Sequence, residues 1–210
     1  IGASLGAADE NSRQLIITAY LLGFGLMQLV FGPLSDRFGR RRPLLLGLSI
    51  YVTAAFAALF VQQFNTLLAL RLLQGSGAAA SVVIAMAFVR DTFGGRQMAE
   101  VMSLVMMVFM VTPVIAPALG QFIMIFGDWH LVFIFMALVA TGIATWTYLR
   151  MPETLKPENR RPFTPASIWQ GFGYVFTNRR SIFYILATAM ILGALFSFIN
   201  TAQQIYVGLY

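Results

Sequence analysis

The stretch GPLSDRFGRRRPLLLG, residues 32–47, sets five charges in the seven positions from Asp36 to Arg42. Around it the chain is almost bare of charge: 10% of its 210 residues are charged and 59% are hydrophobic. A soluble domain carries about 25% charged residues. This chain has too little polar surface to cover a water-soluble globule, so its solvent is lipid. The island of charge then belongs at a membrane surface, between two spanning segments.

Outward from that island, six stretches supply the roughly 20 apolar residues that a bilayer-crossing helix needs. They cover residues 13–33, 43–62, 66–89, 98–126, 130–149 and 182–206. The runs are too long for strands and lack the alternation of a barrel. The expected class is an all-α polytopic membrane protein.

The gaps between the spans alternate in charge. Loops 34–42, 90–97 and 150–181 hold every Lys and Arg except Arg13 and Arg71. The gaps at 62–65 and 126–130 hold no basic residue. Positive loops face the cytoplasm, so these three are expected there. The formal net charge of +6 is accordingly read as topology, and no nucleic-acid partner is expected. Trp129 and His130 are expected to anchor the opposite, outer interface. The chain has no cysteine, which removes disulfides and thiolate metal sites. No metal or cofactor is expected. No catalytic Ser/His/Asp set, HExxH or phosphate-cradling loop is present, so an enzyme is not expected.

The link at 151–181 is the expected domain boundary. Its MPETLKPENRRP is polar and breaks helix, and Thr164-Pro165 reads as an N-cap and first helical position. A short amphipathic helix, ASIWQGFGYVF, follows, as a structural linker or as a lipid or regulatory contact.

A positive-inside anchor accounts for the arginines of the opening stretch but not for Asp36, Gly32 or Gly39. The glycines permit close backbone approach and a tight reversal. Asp36 is expected to accept hydrogen bonds from a helix N-terminus. Arg40 is expected to reach a carboxylate on another helix end, with Asp91 the candidate. The resulting clasp has to break if the helices part.

On the third span, Arg71, Gln74, Ala78, Ser81 and Ala85 share one face at 100° per residue. A buried Arg71 costs roughly 2.5–3.5 kcal/mol on insertion scales and is a functional candidate. The competing reading is snorkelling to the outer surface, since the 19 residues from Arg71 to Arg90 span about 28 Å. On the first span, Gln14, Thr18, Leu21, Gly25, Gln28 and Gly32 form another stripe, read either as cavity lining or as a helix contact. Asn200 and Gln204 share a face of the last span, as substrate contacts or as interhelical bonds. No Asp or Glu lies deep in any of the six spans, so if the protein exchanges protons, the acid that carries them is expected outside this chain, with Arg71 as a partner that tunes it.

These motifs resemble the major facilitator superfamily. GPLSDRFGRRR carries its loop 2–3 signature, including Gly32, Asp36, Arg37, Gly39 and Arg40. LRLLQGSGAAASVV, residues 70–83, is similar to the fourth-helix motif of the drug:proton antiporter branch, through Arg71, Gln74 and Gly75. VTPVIAPALGQFI, residues 111–123, resembles the fifth-helix antiporter motif, through Pro113, Ala116, Pro117 and Gly120. It departs from that motif at Ala116 and at Gln121, where glycines are common; Gln121 either faces a cavity or loosens a contact. APALG followed by WHxxF is closest to the bicyclomycin/chloramphenicol-resistance type.

The resemblance implies an incomplete major facilitator fold, with the six spans as helices 2–7 of twelve. Residues 1–150 would be an N-terminal half lacking helix 1, 151–181 the linker, and 182–210 the first helix of the second half. It implies a monomer in a bacterial inner membrane that exports small amphiphilic drugs against protons by alternating access. Gly32, Asp36, Arg37, Gly39, Arg40 and Asp91 would form a latch, and Arg71, Gln74 and Gly75 would line the cavity. Pro113, Ala116, Pro117 and Gly120 would seal the two halves. Gln28, Gln121 and Asn200 are the candidate substrate contacts. A sugar or metabolite carrier of the same superfamily, and a non-transporting scaffold, are the alternatives.

Overall fold

The computed structural model describes residues 10–160 and 163–209. Its helices are α1 (Glu10–Phe38), α2 (Arg41–Ala57), α3 (Phe64–Thr92), α4 (Gly95–Met124), α5 (His130–Arg150), α6 (Pro165–Thr177) and α7 (Arg179–Leu209). Short 3-10 turns follow α2 at Ala58–Phe60 and precede α6 at Pro157–Asn159. Among the described residues five helices, α1 to α5, are long and apolar enough to cross a membrane. The first, third and fifth expected spans lie within α1, α3 and α5, and the sixth within α7, whereas α2 with its 3-10 turn ends at Phe60 and α4 at Met124, short of the expected ends at 62 and 126. The short helix expected before the last span is α6, and it starts at Pro165, whose fixed φ suits a first turn.

At the basic end the helices run beyond the apolar stretches. Most of the expected loop at 34–42 is helical, with only Gly39 and Arg40 between α1 and α2. Likewise only Phe93 and Gly94 separate α3 from α4. Hydropathy marks where the bilayer is; backbone hydrogen bonding continues past it, because a helix satisfies its own polar groups in water as well.

The chain divides into two compact units, Ile1–Arg161 and Pro162–Tyr210. Within the first, α3 packs between α1 and α2, and α2 also packs against α5. Glycines make these approaches possible. A Cβ on Gly75 of α3 would lie 2.0 Å from the Tyr20 carbonyl oxygen of α1, and one on Gly23 would lie 2.1 Å from that of Leu72. On the other side, a Cβ on Gly77 would lie 2.5 Å from the Gly47 carbonyl oxygen of α2. No side chain fits at such distances, so these backbones touch.

Two apolar clusters fill the unit. One gathers Phe31, Leu44, Leu48, Ala79, Ala80 and Ile84 towards the basic end. The other gathers Ile16, Ala58, Val61, Leu67, Trp129 and Phe133 at the opposite end. Trp129 is thereby a correction: it is 8% exposed, stacked on His130 at 3.7 Å and edge-on to Phe133, in the protein core rather than in a lipid belt. The turn before α5 folds its ring inward, where more apolar area is covered than at an interface.

Within the described residues the glycine stripe of α1 is not what meets α3. A Cβ on Gly25 or Gly32 would meet nothing within 4 Å, and α1 meets α3 through Tyr20, Gly23 and Phe24 instead. Helix α4 stands apart: it has no buried residue.

Candidate functional site

Two polar constellations interrupt this apolar unit, one at the basic end and one inside the helices. At the basic end, α1 stops at Phe38 and the chain reverses through Gly39 at φ +88°, a left-handed conformation that glycine tolerates best. The turn aims Arg40 back between helix ends. Its Nε donates to Asp91 Oδ2 at 2.7 Å, joining the turn to the end of α3. Its Nη1 donates to Asp36 Oδ1 at 2.7 Å and to Ser35 Oγ at 2.8 Å, joining it to the end of α1. The Arg40 side chain is only 5% exposed, against 36% for Asp36 and 19% for Asp91.

Burial disfavours the Arg40 charge. The hydrogen bonds to Asp91 and Asp36, and the two negative charges, outweigh it and raise its pKa above the ordinary arginine value. The guanidinium is thus a fixed cation holding two carboxylates.

The structure therefore brings Asp36, Gly39, Arg40 and Asp91 together. Arg37 is exposed and outside the clasp, while a Cβ on Gly32 would meet open space. Asp36 does not serve a helix N-terminus, because its carboxylate is taken by Arg40. The N-terminus of α2 is served by Glu153, in the segment after α5. Glu153 Oε1 accepts from the Arg40 backbone N–H at 2.8 Å, and Oε2 from that of Arg41 at 3.2 Å. Sequence reading passed over Glu153 because it lies 113 residues from Arg40. The only signal was a carboxylate close behind a spanning helix.

The inner constellation is built on α3. Gln74 is 1% exposed, and its Oε1 accepts from Arg71 Nη1 at 3.0 Å. The Arg71 guanidinium lies over the Phe133 ring of α5, 4.4 Å from its centroid. Tyr20 of α1 and Tyr51 of α2 are within electrostatic reach of it. Arg71 Nε is a buried donor without a hydrogen-bond partner among the described residues, and the Gln74 side chain also meets the Tyr51 hydroxyl of α2. No carboxylate lies within ion-pair distance of Arg71 among them either. Gly75 sits beside this pair as the close-contact residue against Tyr20. The cation is thus held among helices by a π face and an amide, with one donor left over. The remainder of the expected stripe on α3 grades outward: Ala78 and Ser81 are half-buried and Ala85 is exposed.

On α4, Pro113 and Gly120 are half-buried, and Ala116, Pro117 and Gln121 are exposed. The helix continues through both prolines. Ala116 lines a shallow apolar groove with Met107, Val111 and Leu119. Gln28 on α1 is half-buried and touches neither constellation by hydrogen bond. The side chains of Asn200 and Gln204 lie outside the described residues.

Comparison with known proteins supplies the frame for these sites. The family model for the Major Facilitator Superfamily matches residues 2–209. The bicyclomycin resistance protein homolog of Haemophilus influenzae is 34% identical over 210 residues, all of this chain and 52% of that protein. Multidrug resistance protein D of Escherichia coli is 33% identical over 145 residues, 69% of this chain and 37% of the relative. The chloramphenicol resistance protein CraA of Acinetobacter baumannii is 32% identical over 174 residues, 82% of this chain and 41% of the relative. The chain spans about half the length of the curated relatives that it matches from end to end. Among solved structures, the human organic anion transporter MFSD10 superposes with a TM-score of 0.59 at 24% identity, over 77% of this chain and 38% of that one. That likeness concerns the fold.

Proposed function

Because the chain belongs to the Major Facilitator Superfamily, and so to transporters rather than enzymes, we propose that it supplies most of the N-terminal half and the first helix of the second half of a multidrug exporter. In this reading α1 to α5 are helices 2–6 of the N-terminal half, residues 151–181 are the cytoplasmic linker with α6, and α7 opens the second half. The complete transporter works as a monomer in a bacterial inner membrane, with the basic end inside. It exchanges protons for small amphiphilic drugs by alternating access.

The observation that carries this reading is Arg71. A cation inside a spanning helix costs roughly 2.5–3.5 kcal/mol and is kept for work. Here it has a buried amide, an aromatic face and an unspent Nε donor of its own, and no acid among the described residues. That is the surrounding expected of a group that meets a carboxylate elsewhere in the transporter and sets when it gives up its proton. Arginine itself stays charged. The relatives named for multidrug, bicyclomycin and chloramphenicol resistance support drugs as the cargo. The clasp of Asp36, Arg40 and Asp91 holds the cytoplasmic ends together in the outward-facing state, and its release opens the inward-facing one.

A second reading, a carrier for a specific metabolite, draws on the same cluster, since an unspent donor on a cation also suits an anionic substrate. The test is dye or chloramphenicol efflux by the complete transporter in cells, with and without a protonophore. Uncoupler-sensitive efflux is expected. Arg71→Ala is expected to lower it by at least about tenfold, a loss of roughly 1.4 kcal/mol of function-specific interaction. A well-expressed transporter that moves neither compound overturns drug export and leaves the metabolite carrier. Efflux that persists after neutralising both Arg71 and Asp36 removes both constellations from the mechanism.

A further inference from the structure

The clasp has a second anchor that lies outside the motif. Helix α2 begins at Arg41 with no side-chain cap of its own, so its first backbone N–H groups need acceptors from elsewhere. Glu153 provides them from the segment that leaves α5. One carboxylate oxygen accepts from the N–H of Arg40 at 2.8 Å and from that of Leu155 at 3.1 Å, and the other from that of Arg41 at 3.2 Å. The Arg41 guanidinium donates to the Tyr148 carbonyl and lies over the Tyr148 ring, so the end of α5 is fastened to the start of α2 on both sides of Glu153. Leu155, 7% exposed, is buried just beyond.

Gly39 shows how closely Glu153 is fitted. A Cβ there would lie 2.3 Å from Glu153 Oε2. The space that glycine leaves empty is the space the carboxylate fills. Arg40 is thereby gripped twice: its main chain by Glu153, its side chain by Asp36 and Asp91. A carboxylate at a helix N-terminus is favoured by the backbone N–H groups and by the helix dipole, and it needs both oxygens here. An amide would keep one acceptor and turn its NH2 towards a backbone donor.

We propose that Glu153 is a positioning residue of the latch: it sets the Arg40 backbone so that the guanidinium bridges Asp36 and Asp91, and it ties the exit of α5 to that bridge. The proposal rests on the latch reading given above. Its consequence is regulatory: the segment entering the linker and the clasp lock and release as one.

The test uses the complete transporter reconstituted in liposomes, with nitroxide labels at Arg42 and Arg90, both exposed. Glu153→Gln is expected to reduce the maximal rate of dye efflux about tenfold with the KM for the dye unchanged. It is also expected to broaden the distribution of distances between the labels. Glu153→Asp, which keeps the charge but draws it back by one methylene, should fall between; it also serves as the reporter if the glutamine variant does not reach the membrane. Adding Glu153→Gln to Asp36→Asn should cost nothing further, because both act through Arg40. Unchanged efflux and label distances in Glu153→Gln, with efflux by Asp36→Asn slowed, overturn the positioning role alone. Slower efflux that adds to that of Asp36→Asn without moving the labels also overturns it, as an ordinary structural effect. Normal efflux by Asp36→Asn overturns the latch and this proposal with it.

Discussion

Cells producing the complete transporter with Asp36→Asn are expected to export drug several-fold more slowly while keeping the normal amount of protein in the membrane. The asparagine oxygen still accepts from Arg40 Nη1, so the local fold survives. What goes is one of two charges facing a guanidinium that is 5% exposed. A charge-assisted hydrogen bond contributes about 1.5–3 kcal/mol, and neutralising the acceptor forfeits about half of that, equivalent to a roughly 4- to 12-fold shift between two conformations. An alternating-access cycle in which one closed state is depleted that far slows by a similar factor. Asp91→Asn, on the less exposed of the two carboxylates, should do the same. The comparison to make is initial efflux rate per amount of membrane protein, and a rate within twofold of the unsubstituted transporter would sink the latch.

Gly77→Val is expected to have the largest effect on stability. The Cβ it adds would lie 2.5 Å from the Gly47 carbonyl oxygen and 2.6 Å from the Tyr51 nitrogen. Both are backbone atoms of α2, so no side chain can swing aside, and the two helices must separate. Overpacking of this kind costs about 1–3 kcal/mol even when side chains yield, so the valine belongs at or beyond the top of that range. In detergent, thermal unfolding followed by size-exclusion chromatography should show little monodisperse Gly77→Val protein. Gly142→Ala on α5, where a Cβ meets nothing within 4 Å, should unfold as the unsubstituted protein does. Equal stability of the two variants would mean that the α2–α3 contact is looser than described.

Much of the architecture was legible from local composition. Entry into lipid depends on a run of side chains, and so does the positive charge of alternate loops; both are properties of neighbours in sequence. The first five spans and the short helix at 165–177 follow from that. The pairing of Arg40 with Asp91 was also within reach, because a buried cation needs an anion and few were available.

Tertiary structure alone decided which surfaces meet. Spacing put Gly25 and Gly32 on one face of α1, but Gly23 is the glycine pressed against α3. Trp129 at the edge of a span turned inward into the core, and Arg71 lay over Phe133, 62 positions away in the chain, instead of reaching for the outer surface. Asp36 was expected at a helix N-terminus that Glu153 occupies from 113 residues away. Helical periodicity tells which residues of one helix point the same way. It carries no record of the helix opposite, and in lipid that partner is chosen by backbone fit and by the pairing of scarce polar groups, both of which exist only once the helices have packed.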